Sequence, residues 1–331
     1  MLCRFGDGVD TGFVTTCYDQ PMPGRSSASA LPLLVCLALL VLAGCATLPP
    51  GTLRDTDHPL AGRIWDVARQ SFIDESEVLQ RAAQAEALLL GEIHDNPEHH
   101  HLQLEILQSR LARGARPALL MEQFDIDQQA AIDEARRTGK DLAPLMRGWN
   151  WALYQPMVAL AGTTPIPLQA ANLPRNATRP VVRDGYATLG AGELQRLALE
   201  DVWNDARQQY MTKLIEASHC GKVTPPLRDG LVRAQRLRDA TLADAALGKL
   251  DQGVVFILGR GHARRDVGVP LYLEARRPGT RVLSVGFVEV SADKTAPTRY
   301  ETEGIGSIAP YDVIWFTARA ERPDPCLAFG K

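Results

Sequence analysis

Six short apolar runs constrain the fold of this chain more than any other feature of its sequence. Each run is continuous rather than alternating, which is typical of parallel strands that are buried on both faces. The runs are ALLLG (87–91), ALLME (118–122), IPLQAA (166–171), VVFILG (254–259), VLSVGFVEV (282–290) and VIWFT (313–317). Helical patterns separate most of them, and strands that alternate with helices form doubly wound α/β sheets. The sequence therefore predicts a parallel α/β sheet flanked by helices.

The segment 173–250 interrupts this alternation, because it contains no run that resembles a strand. It holds two long stretches of helical pattern, 192–219 and 227–249. We therefore expect a helical insertion subdomain between the third and fourth strands. The α/β core domain would then consist of residues 61–172 and 251–331.

The composition is that of an ordinary globular protein, since 45% of the 331 residues are hydrophobic and 23% are charged. The formal net charge is −3 and the isoelectric point is about 6.2. A chain with this balance has no general basic field that would attract nucleic acid. We therefore expect no nucleic-acid partner.

The amino-terminal region has the pattern of a bacterial export signal. Residues 31–43 form an apolar run that is too short to span a membrane comfortably, and the run ends in LAGC. This ending resembles the lipobox of bacterial lipoproteins, which implies removal of residues 1–44 and a lipid on Cys45. Residues 45–60 would be the tether, and Ala46 favours the outer membrane. We expect an envelope lipoprotein that faces the periplasm.

Two further cysteines, Cys220 and Cys326, would remain in the mature chain. An even number of cysteines in an oxidising compartment is consistent with a disulfide. Two separate buried thiols are the alternative, because the sequence does not show whether the two backbones approach each other. Both interpretations stay open at this point.

Four of the seven histidines lie within eight positions, at His94, His99, His100 and His101. The last three belong to a predicted helix that Asn96 would cap. At 100° per residue, three adjacent side chains of a helix point in three directions and cannot converge on one metal ion. The triplet is therefore not a metal-binding tract, and we expect His101 to be exposed to solvent.

The motif Gly-x-x-His occurs twice, as GEIH (91–94) and as GRGH (259–262), each time at the end of an apolar run. In open α/β sheets, ligands bind outside the carboxyl ends of the strands. We therefore expect His94 and His262 to meet at one edge of the sheet. Carboxylate and amide side chains stand at the ends of the first three runs and would line the same cleft: Glu92 after the first run, Glu122 at the end of the second and Asn172 after the third. Such a set suits a divalent cation or acid–base chemistry.

Several segments together resemble the ChaN-type haem-binding lipoproteins. They are GEIHDNPEHH, PALLMEQF, PLQAANLPR, ILGRGHARRDVGVP and YDVIWFTARAERPDPC. The resemblance covers roughly residues 60–326 and places the chain in a superfamily with the Tiki/TraB metalloproteases and the erythromycin esterases. It implies a parallel α/β domain with a helical subdomain. It also implies a haem site that can form between two protomers, with tyrosine as the iron ligand.

A haem site needs an axial ligand, apolar walls and partners for the propionates. The segment WNWALYQPM (149–157) combines aromatic side chains with Tyr154, which is our first candidate for the iron. Tyr186 and Tyr210 in the helical segment are its rivals. The other side chains that we assign to the cofactor are His94, His262, His99, His100, Arg175 and Arg264.

The sequence leaves two functions open. In the first, the protein is a lipid-anchored haem-binding module for iron or haem uptake across the envelope, with a homodimer around haem and an outer-membrane haem transporter as possible partners. In the second, it is a divalent-metal-dependent hydrolase, a peptidase or an esterase. A metal would then be held by His94, His262, Glu92 and Glu122, and Glu92 or Glu122 would activate water.

Overall fold

The computed structural model describes residues 52–300, 304–324 and 326–327. The predicted signal region, the lipid attachment at Cys45 and residues 45–51 of the tether lie outside these ranges. Within the described residues, no helix is both long enough and apolar enough to cross a membrane.

Ten strands and ten α-helices alternate along most of the described chain. The strands are β1 (Leu53–Arg54), β2 (Ile64–Asp66), β3 (Ser71–Ile73), β4 (Ala87–Glu92), β5 (Ala118–Asp125), β6 (Leu168–Asn172), β7 (Val254–Gly259), β8 (Val282–Glu289), β9 (Val313–Thr317) and β10 (Arg319–Ala320). The helices are α1 (Glu75–Gln84), α2 (Pro97–Ala112), α3 (Gln129–Thr138), α4 (Trp151–Thr163), α5 (Arg175–Asp184), α6 (Ala191–Arg196), α7 (Asp205–Ser218), α8 (Pro225–Leu247), α9 (Arg260–Ala263) and α10 (Val269–Arg276).

The main sheet has eight strands in the order β3-β2-β9-β8-β4-β7-β5-β6. The six strands from β9 to β6 are parallel, and β2 and β3 extend one side of the sheet in antiparallel pairing. These six parallel strands coincide with the six predicted apolar runs. The predicted α/β fold class is therefore confirmed. Because the parallel strands all end at one edge of the sheet, we call this edge the carboxyl edge.

The continuous apolar runs are explained by helices on both faces of the sheet. Along β4, Leu89 belongs to one hydrophobic core, whereas Leu88 and Leu90 belong to the core on the other face. All three side chains are fully buried. Burying such a side chain stabilises the fold by about 1.5–3 kcal/mol, so a strand with two buried faces has no polar position to alternate with.

The helical segment between β6 and β7 contains α5 to α8. The predicted helix 192–219 is divided into α6 and α7, because Ala198 adopts a left-handed backbone conformation (φ 52°) and Asn204 caps α7 by accepting a hydrogen bond from the Arg207 N–H. Apolar residues of α8 join the core that covers one face of the sheet. The segment thus supplies a layer of the α/β core as well as an insertion.

Cys220 and Cys326 form a disulfide, with their Cα atoms 5.7 Å apart. This resolves the alternative that the sequence left open. The bond joins the turn after α7 to the carboxyl-terminal segment that follows β10, and 106 residues separate the two cysteines in sequence.

Candidate functional site

Glu92, the last residue of β4, is the centre of a buried hydrogen-bonded cluster at the carboxyl edge. Only 2% of the residue is exposed. Its Oε1 accepts hydrogen bonds from the Tyr154 hydroxyl at 2.6 Å and from His94 Nδ1 at 2.9 Å. Its Oε2 lies 3.4 Å from His100 Nδ1. The helices α2 and α4 therefore supply two of the partners of this one carboxylate, and the β4–α2 loop supplies the third.

These contacts determine the charge of Glu92. Burial raises the pKa of its carboxyl group, but the electrostatic interaction with His100 and the hydrogen bonds from His94 and Tyr154 outweigh burial and lower the pKa to about 2. In the same way, burial lowers the pKa of His94, whereas Glu92 and Glu122 raise it, and the net shift is upward. The geometry thus favours an ionised Glu92 and a protonated His94.

His262 and Asp239 form a second hydrogen-bonded pair at the carboxyl edge, in addition to the pair of Glu92 and His94. His262 Nδ1 donates to Asp239 Oδ1 at 2.6 Å, and the Gln235 amide nitrogen lies 3.2 Å from His262 Nε2. Burial raises the pKa of Asp239 to about 6, against the lowering effect of His262. Burial lowers the pKa of His262, but Asp239 and Glu122 raise it above its usual value.

Glu122 on β5 joins the two pairs. Its Oε1 lies 3.6 Å from His94 Nε2, and its Oε2 lies 3.7 Å from His262 Nε2. The Gly259 N–H donates to Oε2 at 2.7 Å and fixes the carboxylate. The predicted meeting of His94 and His262, which are 168 positions apart (262 − 94), is therefore confirmed. We call Glu92, His94, Glu122, Asp239 and His262 the strand-end cluster.

The first glycine of each Gly-x-x-His motif makes room for the opposite motif. A Cβ atom on Gly91 would lie 2.7 Å from the Cβ of Ala263 and 2.8 Å from the Cα of Arg260. A Cβ atom on Gly259 would lie 2.9 Å from Cε1 of His94. These distances are shorter than ordinary van der Waals contacts, so the two loops can approach this closely only without side chains at the two positions.

One histidine of the strand-end cluster is open to solvent. The His94 side chain is 31% exposed, whereas the side chains of His262 and Glu122 are 8% and 7% exposed. The His94 ring packs edge-to-face against Trp149, with the ring centroids 4.8 Å apart, and Trp149 itself is partly buried. The cluster therefore presents an imidazole and an indole at its surface, above a buried carboxylate layer.

Two of the predicted cofactor residues do not reach this surface. His99 is fully buried; its Nδ1 accepts from the Ile93 N–H at 2.9 Å, and its Nε2 lies 2.7 Å from the Thr317 hydroxyl. Burial lowers the pKa of His99 well below its usual value. Arg264 is 2% exposed and donates to both carboxylate oxygens of Asp266. The prediction that these two side chains lie in the cofactor site is not supported, because both are buried and make hydrogen bonds inside the protein.

The predicted tyrosines also lie beneath the surface or away from it. Tyr154 is fully buried, and burial together with Glu92 raises the pKa of its hydroxyl far above the usual value. Tyr186 donates to the carbonyl of Arg233 at 3.0 Å. The Tyr210 ring packs against the Arg264 guanidinium, and its centroid lies 4.4 Å from Arg264 Cζ. In this geometry Tyr154 supports Glu92 and does not present its oxygen to a ligand.

The remaining predicted residues lie beneath or beside the cluster. His100 is 5% exposed, and its Nε2 donates to the carbonyl of His94, so it supports His94 from below. Asn172 ends β6 and hydrogen bonds Asp125. Arg175 is exposed at the start of α5. Of these three, Arg175 is the one exposed cation, and its charge acts on Asp125.

Sequence reasoning missed Asp239 and Gln235, which α8 brings to His262. A signal for Asp239 did exist in the sequence. It stands at helical spacing from Val232, Arg236 and Ala243, which are all buried, and an acidic residue at a core position of a helix needs a buried partner. The sequence did not indicate which element that partner belongs to.

The geometry of the strand-end cluster does not support the divalent-metal alternative. Among the residues that the structure describes, no group of three or more His, Cys, Asp or Glu side chains could hold a metal ion. The side chains proposed as ligands are hydrogen bonded in pairs instead, His94 to Glu92 and His262 to Asp239.

Solved structures with similar folds include a haem-binding protein. The match described as "Cofacial heme binding to ChaN of Campylobacter jejuni" has a TM-score of 0.61 and 19% sequence identity, and it covers 78% of this chain and 96% of that chain. At this identity the match shows the fold. An erythromycin esterase in its open conformation also matches, with a TM-score of 0.37, 11% identity, and 79% and 98% coverage, which is too weak to support an argument. No curated protein matches the chain.

A family model described as "Haem-binding uptake, Tiki superfamily, ChaN" matches residues 78–273. The matched range begins in α1, ends in α10 and contains both Gly-x-x-His motifs and Asp239. It thus spans every residue of the strand-end cluster and well over half of the chain. The chain therefore belongs to the ChaN family of haem-binding uptake proteins in the Tiki superfamily.

Proposed function

We propose that this protein is a lipid-anchored haem-binding protein that takes part in iron or haem uptake across the bacterial envelope. The observation that carries the proposal is the partly exposed His94–Trp149 surface over the buried strand-end cluster, in a chain of the ChaN family. The lipobox-like LAGC sequence supports an anchor on Cys45. The alternative, a divalent-metal-dependent hydrolase, has no comparable support, because among the described residues no group of three or more His, Cys, Asp or Glu side chains could hold a metal ion.

The residues at this surface fit one face of a haem. A porphyrin needs aromatic or apolar contacts and a cation for its propionates. The rings of His94 and Trp149 supply the aromatic contacts, and the exposed guanidinium of Arg175 can supply the cation. The buried Glu92 and Glu122 hold His94 in place from below.

Because this surface is partly exposed and not enclosed, it would contact only one face of a bound haem. The other face needs contacts from a second surface. The ChaN of Campylobacter jejuni is described as binding haem cofacially. We propose that in this protein two copies face each other across the bound haem. Sedimentation of the soluble domain, residues 46–331, should then shift from monomer towards dimer when hemin is added. A mass that stays monomeric at saturating hemin would contradict this part of the proposal.

A hemin titration tests the proposal directly. The soluble domain should give a saturable shift of the Soret band. Replacement of the exposed contact, as His94→Ala, should weaken binding about tenfold or more, which corresponds to about 1.4 kcal/mol. His101→Ala is the matched control on the next helix, because His101 is 66% exposed and pairs with Glu105. The proposal fails if the shift is not saturable or if both variants bind equally well.

The same titration decides the role of Tyr154. Since its hydroxyl donates to Glu92 and the residue is fully buried, we expect Tyr154→Phe to keep the wild-type Soret position. Binding should weaken, because the carboxylate loses a hydrogen bond. Loss of the charge-transfer band in Tyr154→Phe would instead identify the phenolate as the iron ligand, as the family resemblance implies.

Mass spectrometry of the membrane-extracted chain tests the anchor. We expect an acylated amino terminus at Cys45, and we expect Cys45→Ser to move the protein from the membrane fraction to the soluble fraction. An unmodified Cys45 in a mature chain that stays soluble would contradict the anchoring and the envelope location together.

A further inference from the structure

The two ends of the described chain meet beside the functional site. At the amino-terminal end, β1 pairs with β10, and Leu53 lies opposite Ala320. The Glu321 N–H also donates to the carbonyl of Thr52 at 2.9 Å. The predicted tether 45–60 therefore already joins the fold at Thr52, on the carboxyl-terminal segment, and only residues before Thr52 can act as a tether.

That segment is itself fixed to the loop that carries His94. The Ala320 N–H and the Asn96 side chain both donate to Glu289 Oε1, at 2.9 and 2.8 Å. Arg322 donates to both carboxylate oxygens of Asp95, each at 2.7 Å, and Asp95 directly follows His94. The tether therefore enters the fold at the carboxyl edge and not at the opposite edge of the sheet.

The tether is short compared with the fold. From Cys45 to Leu53 there are eight residue steps (53 − 45), which span at most about 29 Å when fully extended. As a flexible coil they span about 16 Å. The eight residues of β5 alone are about 26 Å long. A tether that behaves as a flexible coil is therefore shorter than the strands are long, and it holds the carboxyl edge closer to the lipid than the amino edge on average.

We propose that the carboxyl edge, with His94 and Trp149, is the membrane-facing end of the anchored protein in its haem-free, monomeric state, and that its partner in that state is the headgroup surface of the bilayer. This inference rests on the lipid anchor in the proposed function. A ligand with an apolar ring and carboxylate groups would then be exchanged at the lipid surface.

The charges at the point of entry do not set this orientation. The exposed cations at the point of entry are paired with acids, Arg54 with Glu321 and Arg319 with Asp55, the second pair at 3.3 Å. Paired surface charges of this kind attract anionic headgroups weakly. The orientation follows from the length and entry point of the tether, so the experiment must vary the tether.

The test uses the full-length lipidated chain in vesicles that contain a spin-labelled headgroup lipid. A fluorescent probe is attached at either end of β5, through Asp127→Cys after the strand or Arg116→Cys before it. Both residues are exposed, and the native Cys220–Cys326 pair is already bonded. We expect the probe at Asp127→Cys to be quenched at least threefold more strongly than the probe at Arg116→Cys.

Insertion of 20 Gly/Ser residues after Ala46 is the control. It should abolish the quenching difference between the two probes, because a flexible linker of about 28 residues spans about 30 Å and no longer restricts the orientation of the domain. Equal quenching with the natural tether, or stronger quenching at Arg116→Cys, would overturn the inference. A difference that survives the insertion would overturn it as well, since the tether would not be its cause. The measurement contains no hemin, so a failure to bind haem leaves its result unchanged, whereas a Cys45 without lipid overturns both this inference and the proposed anchor.

Discussion

Gly259 is one of the two positions at which the Gly-x-x-His motifs touch. Its missing side chain leaves space for the His94 ring, whose Cε1 and Nε2 would lie 2.9 and 3.0 Å from a Cβ atom. Its N–H holds Glu122. The sequence showed that a glycine opens each of the two motifs. It could not indicate that the glycine of one motif serves the histidine of the other, because that depends on β4 and β7 being neighbours.

We predict that Gly259→Ala displaces the His94 ring, weakens hemin binding about tenfold and lowers the free energy of unfolding by about 1–3 kcal/mol, as overpacking does. Gly261→Ala, two residues further on in α9, is the matched control in the same motif, because a Cβ atom there meets nothing within 4 Å. Hemin titration and urea unfolding of both variants check this. Equal behaviour of the two variants would show that the close approach is unimportant.

Glu92 connects the site to the stability of the fold. Its pKa falls on folding from 4.5 to about 2. A lowered pKa stabilises the fold fully above the unfolded value, and this stabilisation is lost as the pH falls towards the folded value.

We therefore predict that the stability advantage of the wild type over Glu92→Gln shrinks by about 2 kcal/mol between pH 5 and pH 3. Urea unfolding at several pH values measures the difference. The exposed Glu105→Gln on α2 is the control and should show no such trend. An advantage of Glu92 that stays constant over this range would mean that the carboxylate is not held ionised by its neighbours.

At the scale of elements, the strands were predictable and their order was not. Each apolar run became a strand within a few residues of its predicted limits, because burial on both faces leaves a local signature. The neighbours of β4 are β7 and β8, which are distant in sequence. Packing of α8 on the sheet also depends on distant contacts, and this packing places Asp239 beside His262. These parts of the site could not be derived from local patterns.

The disulfide between the turn after α7 and the carboxyl-terminal segment is the longest-range covalent link in the described part of the chain. Because it closes a loop of 106 residues, we predict that the Cys220→Ser/Cys326→Ser double variant loses about 3–5 kcal/mol of unfolding free energy. Reductant should lower the stability of the wild type to that of the variant and leave the variant unchanged. A loss below about 1 kcal/mol would mean that the unfolded chain gains little freedom when the bond is absent.

At the scale of the whole molecule, the proposed haem site and the proposed lipid attachment share one edge. The carboxyl edge carries the strand-end cluster, the exposed His94 and the entry of the tether at β1. Family membership and fold follow from the matches over residues 78–273 and to the Campylobacter structure. The position of haem on this edge is the central claim that connects these features.

The position of the iron atom in crystals of the hemin complex, located by anomalous X-ray scattering at the absorption energy of iron, tests that claim most directly. The iron should lie at the carboxyl edge, within about 10 Å of the His94 ring, since two strand spacings are about that distance. An iron atom beyond the amino ends of the strands, about 20 Å or more from His94, would contradict it.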